Sequence, residues 1–279
     1  MREVTREQVI DTLRGLGVRA GCGVFVHSAI QFLGRPAGGV GMYYQALQSV
    51  LNLQPSQDAG PGELNGLQTV GTLVVPTFNF AFARGEPYDP QNTPSKGMGV
   101  FCEYVRQQPE ARRTPHPMQS LAAVGRYADD LAARDTPSAF DPGSAFERML
   151  ELDFMLLLLG ADIQAASMIH YSEQRAAVPY RYWKEFSGQT RTAAGWEHRT
   201  YRMFARDLGA DPRLDLRSVQ AALQVAGQWA SLPLNYGRVS LCRLADFAAA
   251  ADRLLAEDPW ALVSNREGIL RKWDADQRG

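Results

Sequence analysis

Three short apolar runs, each followed at once by polar residues, constrain this chain most. Gly23-Val-Phe-Val26 leads into His27-Ser28, Gly71-Thr-Leu-Val-Val75 into Pro76-Thr77, and Phe154-Met-Leu-Leu-Leu-Leu159 into Gly160. Uninterrupted apolar runs of this length read as strands buried on both faces, as in a parallel sheet covered by helices. Segments with helical spacing lie between and around them. The pattern predicts an α/β fold, a layered α/β/α arrangement with a mostly parallel central sheet. In such sheets ligands gather at the carboxyl ends of the strands, where His27-Ser28, Thr77 and the stretch after Gly160 fall.

The first helix is predicted from Thr5 to Leu16, with Val9, Ile10, Leu13 and Leu16 on one face, Thr5 as cap and Gly17 as stop. Further helices are predicted at Met42–Leu51, Gly99–Gln107, Tyr127–Ala133, Ala145–Leu152, Ser167–Ala177, Leu214–Ala226 and Leu244–Leu255. A weak strand is read at Ser120–Val124. Gly34–Gly39, Gln54–Gln68, Phe78–Lys96 and Arg112–His116 read as loops, Gln54–Gln68 as a surface excursion. The aromatics of Phe78–Lys96 argue for an ordered, functional loop. After Trp183 the pattern changes, and 186–207 and 236–242 read as more exposed strands. We take residues 1–279 as a single domain with a distinct C-terminal portion from about 186.

With 279 residues, 45% hydrophobic, 21% charged and a net charge of −1, the chain has material for a large core and no basic excess for nucleic acid or a membrane surface. The N-terminus lacks the apolar segment of a signal peptide, and the longest apolar run is too short to span a bilayer. The three cysteines, Cys22, Cys102 and Cys242, form no CxxC pair. This usage fits a reducing cytoplasm, where the protein is expected to reside.

There are four histidines: His27, His116, His170 and His198. His170 and Glu173 are three apart and share a face if their segment is helical. A carboxylate beside an imidazole orients it and raises its basicity, as a general base requires. The same spacing also describes an ordinary surface pair. No zincin spacing occurs, so no metal is expected. Ser28 beside His27 suggests a nucleophile, but no Gly-x-Ser-x-Gly elbow surrounds it. Gly34-Arg-Pro-Ala-Gly-Gly39 opens a helix, where backbone N–H groups can hold a phosphate, or is a plain turn. Arg112 and Arg113, with His116 in a proline-stiffened loop, suit phosphate. Tyr180-Arg-Tyr-Trp-Lys184 mixes rings and cations suited to a sugar or nucleotide, or to packing.

Taken in order, these fragments are similar to the aminoglycoside 3-N-acetyltransferase (antibiotic N-acetyltransferase) family. The matching pieces are Val26-His-Ser-Ala-Ile30 with Gly38-Gly39; Tyr88-Asp-Pro with Thr93-Pro-Ser95 and Met98-Gly99; Arg112-Arg-Thr-Pro-His-Pro117 with Ser120; Pro142-Gly-Ser-Ala145; Leu157-Leu-Leu-Gly160; His170-Tyr-Ser-Glu173 with Val178-Pro179; and Gly237-Arg-Val-Ser-Leu241. The resemblance covers about residues 8 to 255. It implies a fold distinct from the GNAT acetyltransferases, acetyl-CoA or another acyl-CoA as donor, and an amino-sugar amine as acceptor, by direct transfer. It implies His170 as catalytic base and Glu173 as its partner. His27, Ser28, Gly38, Gly39, Thr77, Arg113 and Ser120 are implied on the donor side. Asp89, His116, Tyr171 and Arg181 are assigned to the acceptor pocket. One departure is Ala29, where many members carry Ser. The acceptor is an aminoglycoside or, alternatively, a nucleotide-linked amino sugar of surface polysaccharide biosynthesis. Two further readings are a Ser28/His170/Glu173 hydrolase and a non-catalytic sugar-binding relative. The sequence leaves the oligomeric state open.

Overall fold

The computed structural model describes residues 2–53 and 69–276; the excursion read at 54–68 lies outside them. Nine helices are described: α1 (Arg6–Gly15), α2 (Gly41–Leu51), α3 (Gly99–Arg106), α4 (Ala128–Ala132), α5 (Ala145–Glu151), α6 (Ile169–Arg175), α7 (Arg217–Val225), α8 (Leu244–Glu257) and α9 (Arg266–Asp276). The strands are β1 (Glu3–Val4), β2 (Gly23–Ser28), β3 (Arg35–Pro36), β4 (Thr72–Pro76), β5 (Arg112–Arg113), β6 (Leu121–Gly125), β7 (Met155–Leu159), β8 (Arg181–Thr192), β9 (Gly195–Arg206), β10 (Ala230–Leu234) and β11 (Gly237–Arg243). Thr5 caps α1 as expected: its hydroxyl accepts the Gln8 N–H, and the Gln8 side chain reaches back to the Thr5 N–H at 3.0 Å.

The central sheet runs β10-β11-β7-β2-β4-β6-β5. The expected α/β class holds, with one correction: the sheet is mixed. The three apolar runs form its parallel centre, β7, β2 and β4, while β11, β10, β6 and β5 are antiparallel additions. A tight connection explains the outermost pair at one edge. Only Asn235 and Tyr236 separate β10 from β11, with Asn235 left-handed at φ 51°, and a turn that short can only reverse the chain. Arg112-Arg113, read as loop, is a short edge strand that pairs with Ala123 and Ala122 across the seven-residue connection 114–120.

Each central strand sends alternate side chains to opposite faces. Val24, Val26, Leu73, Val75, Leu157 and Leu159 pack under α1, α2 and α3. Phe25, Val74, Leu156 and Leu158 pack under α5, α6 and α8. Fully burying each such side chain contributes roughly 1.5–3 kcal/mol. The period places His27 on the α6 face and Ser28 on the α3 face.

The polar segments after residue 180 form a long hairpin, β8–β9, paired from Arg181↔Arg206 to Thr192↔Gly195. It therefore begins five residues before the start read from the sequence. It rests on the aromatic loop before α3 through a small cluster of Phe82, Tyr88, Met118 and Tyr201 and a bridge between Tyr88 and Thr190. Gly188 permits this approach, since a Cβ there would stand 2.9 Å from the Phe82 ring. Among the described residues no helix is long and apolar enough to cross a membrane, and no His/Cys/Asp/Glu group is arranged to hold a metal.

Candidate functional site

α6 starts after β7 turns at Gly160 (φ 72°) and a short helical turn capped by Asp162. It packs Ile169, Tyr171, Ser172 and Glu173 inward and leaves His170 partly open. Pro179 ends the segment, after the Val178 N–H returns to the Glu173 carbonyl. The next residues open β8, so Arg181 returns alongside α6.

His170, Glu173 and Arg181 form one cluster. His170 Nδ1 lies 2.6 Å from Glu173 Oε2, with the His170 side chain 27% exposed and that of Glu173 0%. Arg181 Nη2 donates to the same carboxylate oxygen at 2.8 Å and is 3.1 Å from His170 Nδ1. Nδ1 cannot both donate to the carboxylate and accept from the guanidinium. The shorter contact, to a charged acceptor, assigns the proton to Nδ1, and the arginine contact to that nitrogen is proximity alone. Nε2 is then an acceptor, and it makes no hydrogen bond with a described residue. Burial pushes the Glu173 carboxyl up, but hydrogen bonds and charge from His170 and Arg181 more than offset this and hold it below the ordinary range. The buried acid is thus an anion paired with a buried arginine.

His170 opens onto a cleft of about 600 Å³ between α6, the hairpin and the 208–214 loop. Among the described residues its wall includes Phe80, Gln119, Arg181, Lys184, Arg206 and Arg213. Lys184 and Met203, which line it, are directly opposed across the hairpin, as are Tyr182 and Ala205. Phe80 belongs to the aromatic loop expected to be functional, whereas Arg206 and Arg213 did not stand out in the sequence. The alternation along β8 was a usable signal for its cleft face; the 208–214 loop carried none.

The other residues singled out from the sequence are distributed as follows. His27 is buried under α6, where Nε2 accepts the Ser167 N–H at 3.0 Å with the Ser167 hydroxyl 2.9 Å away. Burial, then the neighbouring His170, pushes its pKa down to about 3, so it is a neutral strut. Ser28 points to the opposite face, its hydroxyl 3.9 Å from the Cys102 thiol. It makes no hydrogen bond to His170, so the Ser28/His170/Glu173 hydrolase is not assembled. Gly38 and Gly39 form a left-handed turn (φ 82° and 85°) before α2, with open space where side chains would stand.

Thr77, Ser120 and Arg113 are together, but they are occupied with one another. Arg113 Nε donates to the Thr77 hydroxyl at 3.1 Å and the Ser120 hydroxyl at 3.0 Å, Nη2 to the Thr77 carbonyl at 2.6 Å, and Nη1 to the Pro90 and Thr93 carbonyls. The guanidinium pins the 88–95 loop, and the phosphate role read for it has little left to act with. Asp89 is spent on its own turn, accepting the Gln91 and Asn92 N–H groups, and lies outside the His170 cleft. His116 Nδ1 accepts the Gln119 N–H at 3.1 Å, and its ring packs against Tyr201. Burial pushes its pKa down to about 4. Tyr171 is turned away from the cleft, its hydroxyl donating to Glu147 at 3.2 Å. Of the four residues assigned to the acceptor pocket, Arg181 alone lines the cleft beside His170.

Comparison with known proteins gives the same family. The sequence profile described as aminoglycoside 3-N-acetyltransferase matches residues 25–256. Aminoglycoside N(3)-acetyltransferase III of Salmonella sp is 31% identical over 189 residues, 64% of this chain and 63% of that protein, so the match spans under two thirds of the relative's length. The structure of AAC-IIIb in a binary complex with CoASH superposes with a TM-score of 0.75 at 22% identity, covering 92% of this chain and 97% of the other. Aminoglycoside acetyltransferase AAC(3)-IVa, in a mutant form complexed with a gentamicin, superposes with a TM-score of 0.73 at 25% identity, covering 96% and 95%. A profile match over most of the length, with the fold and the ordered motifs in agreement, places the chain in the aminoglycoside 3-N-acetyltransferase family.

Proposed function

We propose that the protein is an acetyl-CoA-dependent N-acetyltransferase acting on an amine of an amino sugar, with His170 as general base. The observation that carries this is the His170–Glu173–Arg181 cluster. The buried carboxylate fixes the imidazole by Nδ1 and leaves the Nε2 lone pair for the cleft. The family supplies the reaction class, and its solved relatives include complexes described with CoASH and with a gentamicin.

Acetyl-CoA, the second substrate, brings the acetyl group as a thioester. The amine nitrogen bonds to the acetyl carbonyl carbon as the carbon–sulfur bond breaks. Nε2 of His170 takes the proton the amine loses and passes it to the leaving thiolate. Glu173 steadies the imidazolium formed in between, and Arg181 keeps Glu173 ionised and in place. Ser28 and the open Gly38-Gly39 turn are the donor-side residues whose surroundings leave them available to the thioester substrate.

The test is thiol release from acetyl-CoA in the presence of amino-sugar amines. His170→Ala should lower kcat by about 10²–10⁴, the usual worth of a positioned base, while CoA still binds by calorimetry. Near-normal turnover in that variant would end the assignment.

A further inference from the structure

The wall of the His170 cleft carries the wrong charge for a polycation. Its charged lining residues are Arg181, Lys184, Arg206 and Arg213, and no carboxylate is among the described residues that line it. Two of these cations are matched. Arg181 is consumed by Glu173, and Arg206 shares a 3.5 Å, half-exposed contact with Asp211. Lys184 and Arg213 form no ion pair with a described residue; the Lys184 ammonium stands over the Phe186 ring, 5.4 Å from its centre. Exposed rings lie beside these charges, with Phe80 40% and Tyr182 46% exposed. A cleft with ring faces, uncompensated cations and one open imidazole nitrogen fits a sugar that carries both a phosphate and an amine.

We propose that the acceptor is a phosphate ester of an amino sugar, its phosphate held by Lys184 and Arg213 with Arg206, and its amine presented to His170 Nε2. A many-amine aminoglycoside would bring like charge against the same wall. The chemistry of transfer is unchanged, and the inference rests on the acetyltransferase reading above. A sugar monophosphate and a nucleoside-diphosphate sugar share the recognised group, and the exposed rings offer a surface for the base of the latter.

The experiment measures kcat/KM by thiol release for glucosamine 6-phosphate, UDP-glucosamine, glucosamine and gentamicin with the full chain. One or both phosphate esters should exceed both other amines at least tenfold, and which ester leads separates the two sources. The double variant Lys184→Ala/Arg213→Ala should abolish most of that preference, read as the ratio of ester to glucosamine. Glucosamine or gentamicin turned over as well as the esters, or a preference that survives the double variant, overturns the proposal. If no amine is acetylated, calorimetric titration with the two esters decides. Binding that the double variant weakens tenfold or more upholds the phosphate site while the acetyltransferase reading fails, and no binding of either ester overturns the site.

Discussion

His170 Nδ1 lies 2.6 Å from Oε2 of a Glu173 whose side chain is entirely buried, and Arg181 holds that same oxygen at 2.8 Å. A single carboxylate oxygen thus orients the imidazole and balances the arginine. Replacing the acid by the isosteric amide separates these jobs. In Glu173→Gln the imidazole keeps a hydrogen-bonding neighbour but loses the anion that steadies its protonated form, and Arg181 loses its counter-charge. Turnover should fall about 10²–10⁴-fold, the full worth of the base. Stability should fall by roughly 3–5 kcal/mol, as when one partner of a buried pair is removed. Steady-state kinetics and urea unfolding read the two effects. Unchanged kcat would separate Glu173 from the chemistry.

The buried histidines set an acid limit on stability. The pKa of His27 is pushed down to about 3 and that of His116 to about 4, both first by burial. In the unfolded chain each takes up a proton near pH 6.5. Between about pH 6.5 and 4 the unfolded state therefore binds two more protons than the native state, and stability rises with pH. The slope approaches about 1.4 kcal/mol per pH unit for each histidine. Glu173, held below the ordinary carboxylate range, adds stability above that range that is lost as pH falls further through its folded value. Urea unfolding from pH 4.5 to 7.5 should show the histidine-linked loss on acidification. His27→Gln with His116→Asn, each able to accept the same backbone N–H, should flatten the upper part of the curve. A flat wild-type profile would refute the neutral burial of both rings.

How far the site was legible in the sequence follows from how each residue is held. The central strands announced themselves because burial on both faces demands unbroken apolar runs, and Thr5 announced the first helix because a capping box is local. His170 and Glu173 were legible as a pair because one helical turn joins them. Arg181 appeared among nearby cations, but its contact with Glu173 depends on where the chain returns after Pro179. Arg206 and Arg213 reach the cleft only through the hairpin and the loop after it, contacts that no local spacing encodes. The expectation of a mostly parallel sheet failed at its edges, because uniform apolar runs mark only the strands buried on both faces and the direction in which the flanking strands pair is not written in their composition. Thr77, Arg113 and Ser120 carried motif positions whose hydrogen bonds turned out to be internal.

Ser28→Ala tests the separation of the two sheet faces. Because Ser28 and the adjacent His27 alternate across β2, the hydroxyl faces Cys102 while His27 lies beneath α6. Direct transfer predicts that the variant keeps more than a tenth of wild-type kcat, since the change trims only a donor-side contact. It also predicts no burst of thiol release before steady turnover in either protein. A burst that vanishes in Ser28→Ala would establish an acyl-enzyme and overturn direct transfer.

Arg113 should behave as a staple. Its three nitrogens reach two hydroxyls and three carbonyls, tying the end of β4 and Ser120 to the 88–95 loop, and its guanidinium stacks over Tyr88 at 5.2 Å. Lysine keeps the charge but has no planar fork, so it can satisfy only part of this set. Hydrogen bonds involving a charged group are worth about 1.5–3 kcal/mol each, and unmade partners in a buried site add to the cost. Arg113→Lys should therefore lower unfolding stability by about 2–4 kcal/mol and raise proteolytic cleavage in the 88–95 loop. KM for acetyl-CoA should rise less than threefold in the protein that remains folded. A staple acts on the loop; a phosphate ligand would act on the substrate. A large rise in that KM with stability unchanged would mean that the guanidinium serves the donor phosphates and that its internal hydrogen bonds give way when acetyl-CoA binds.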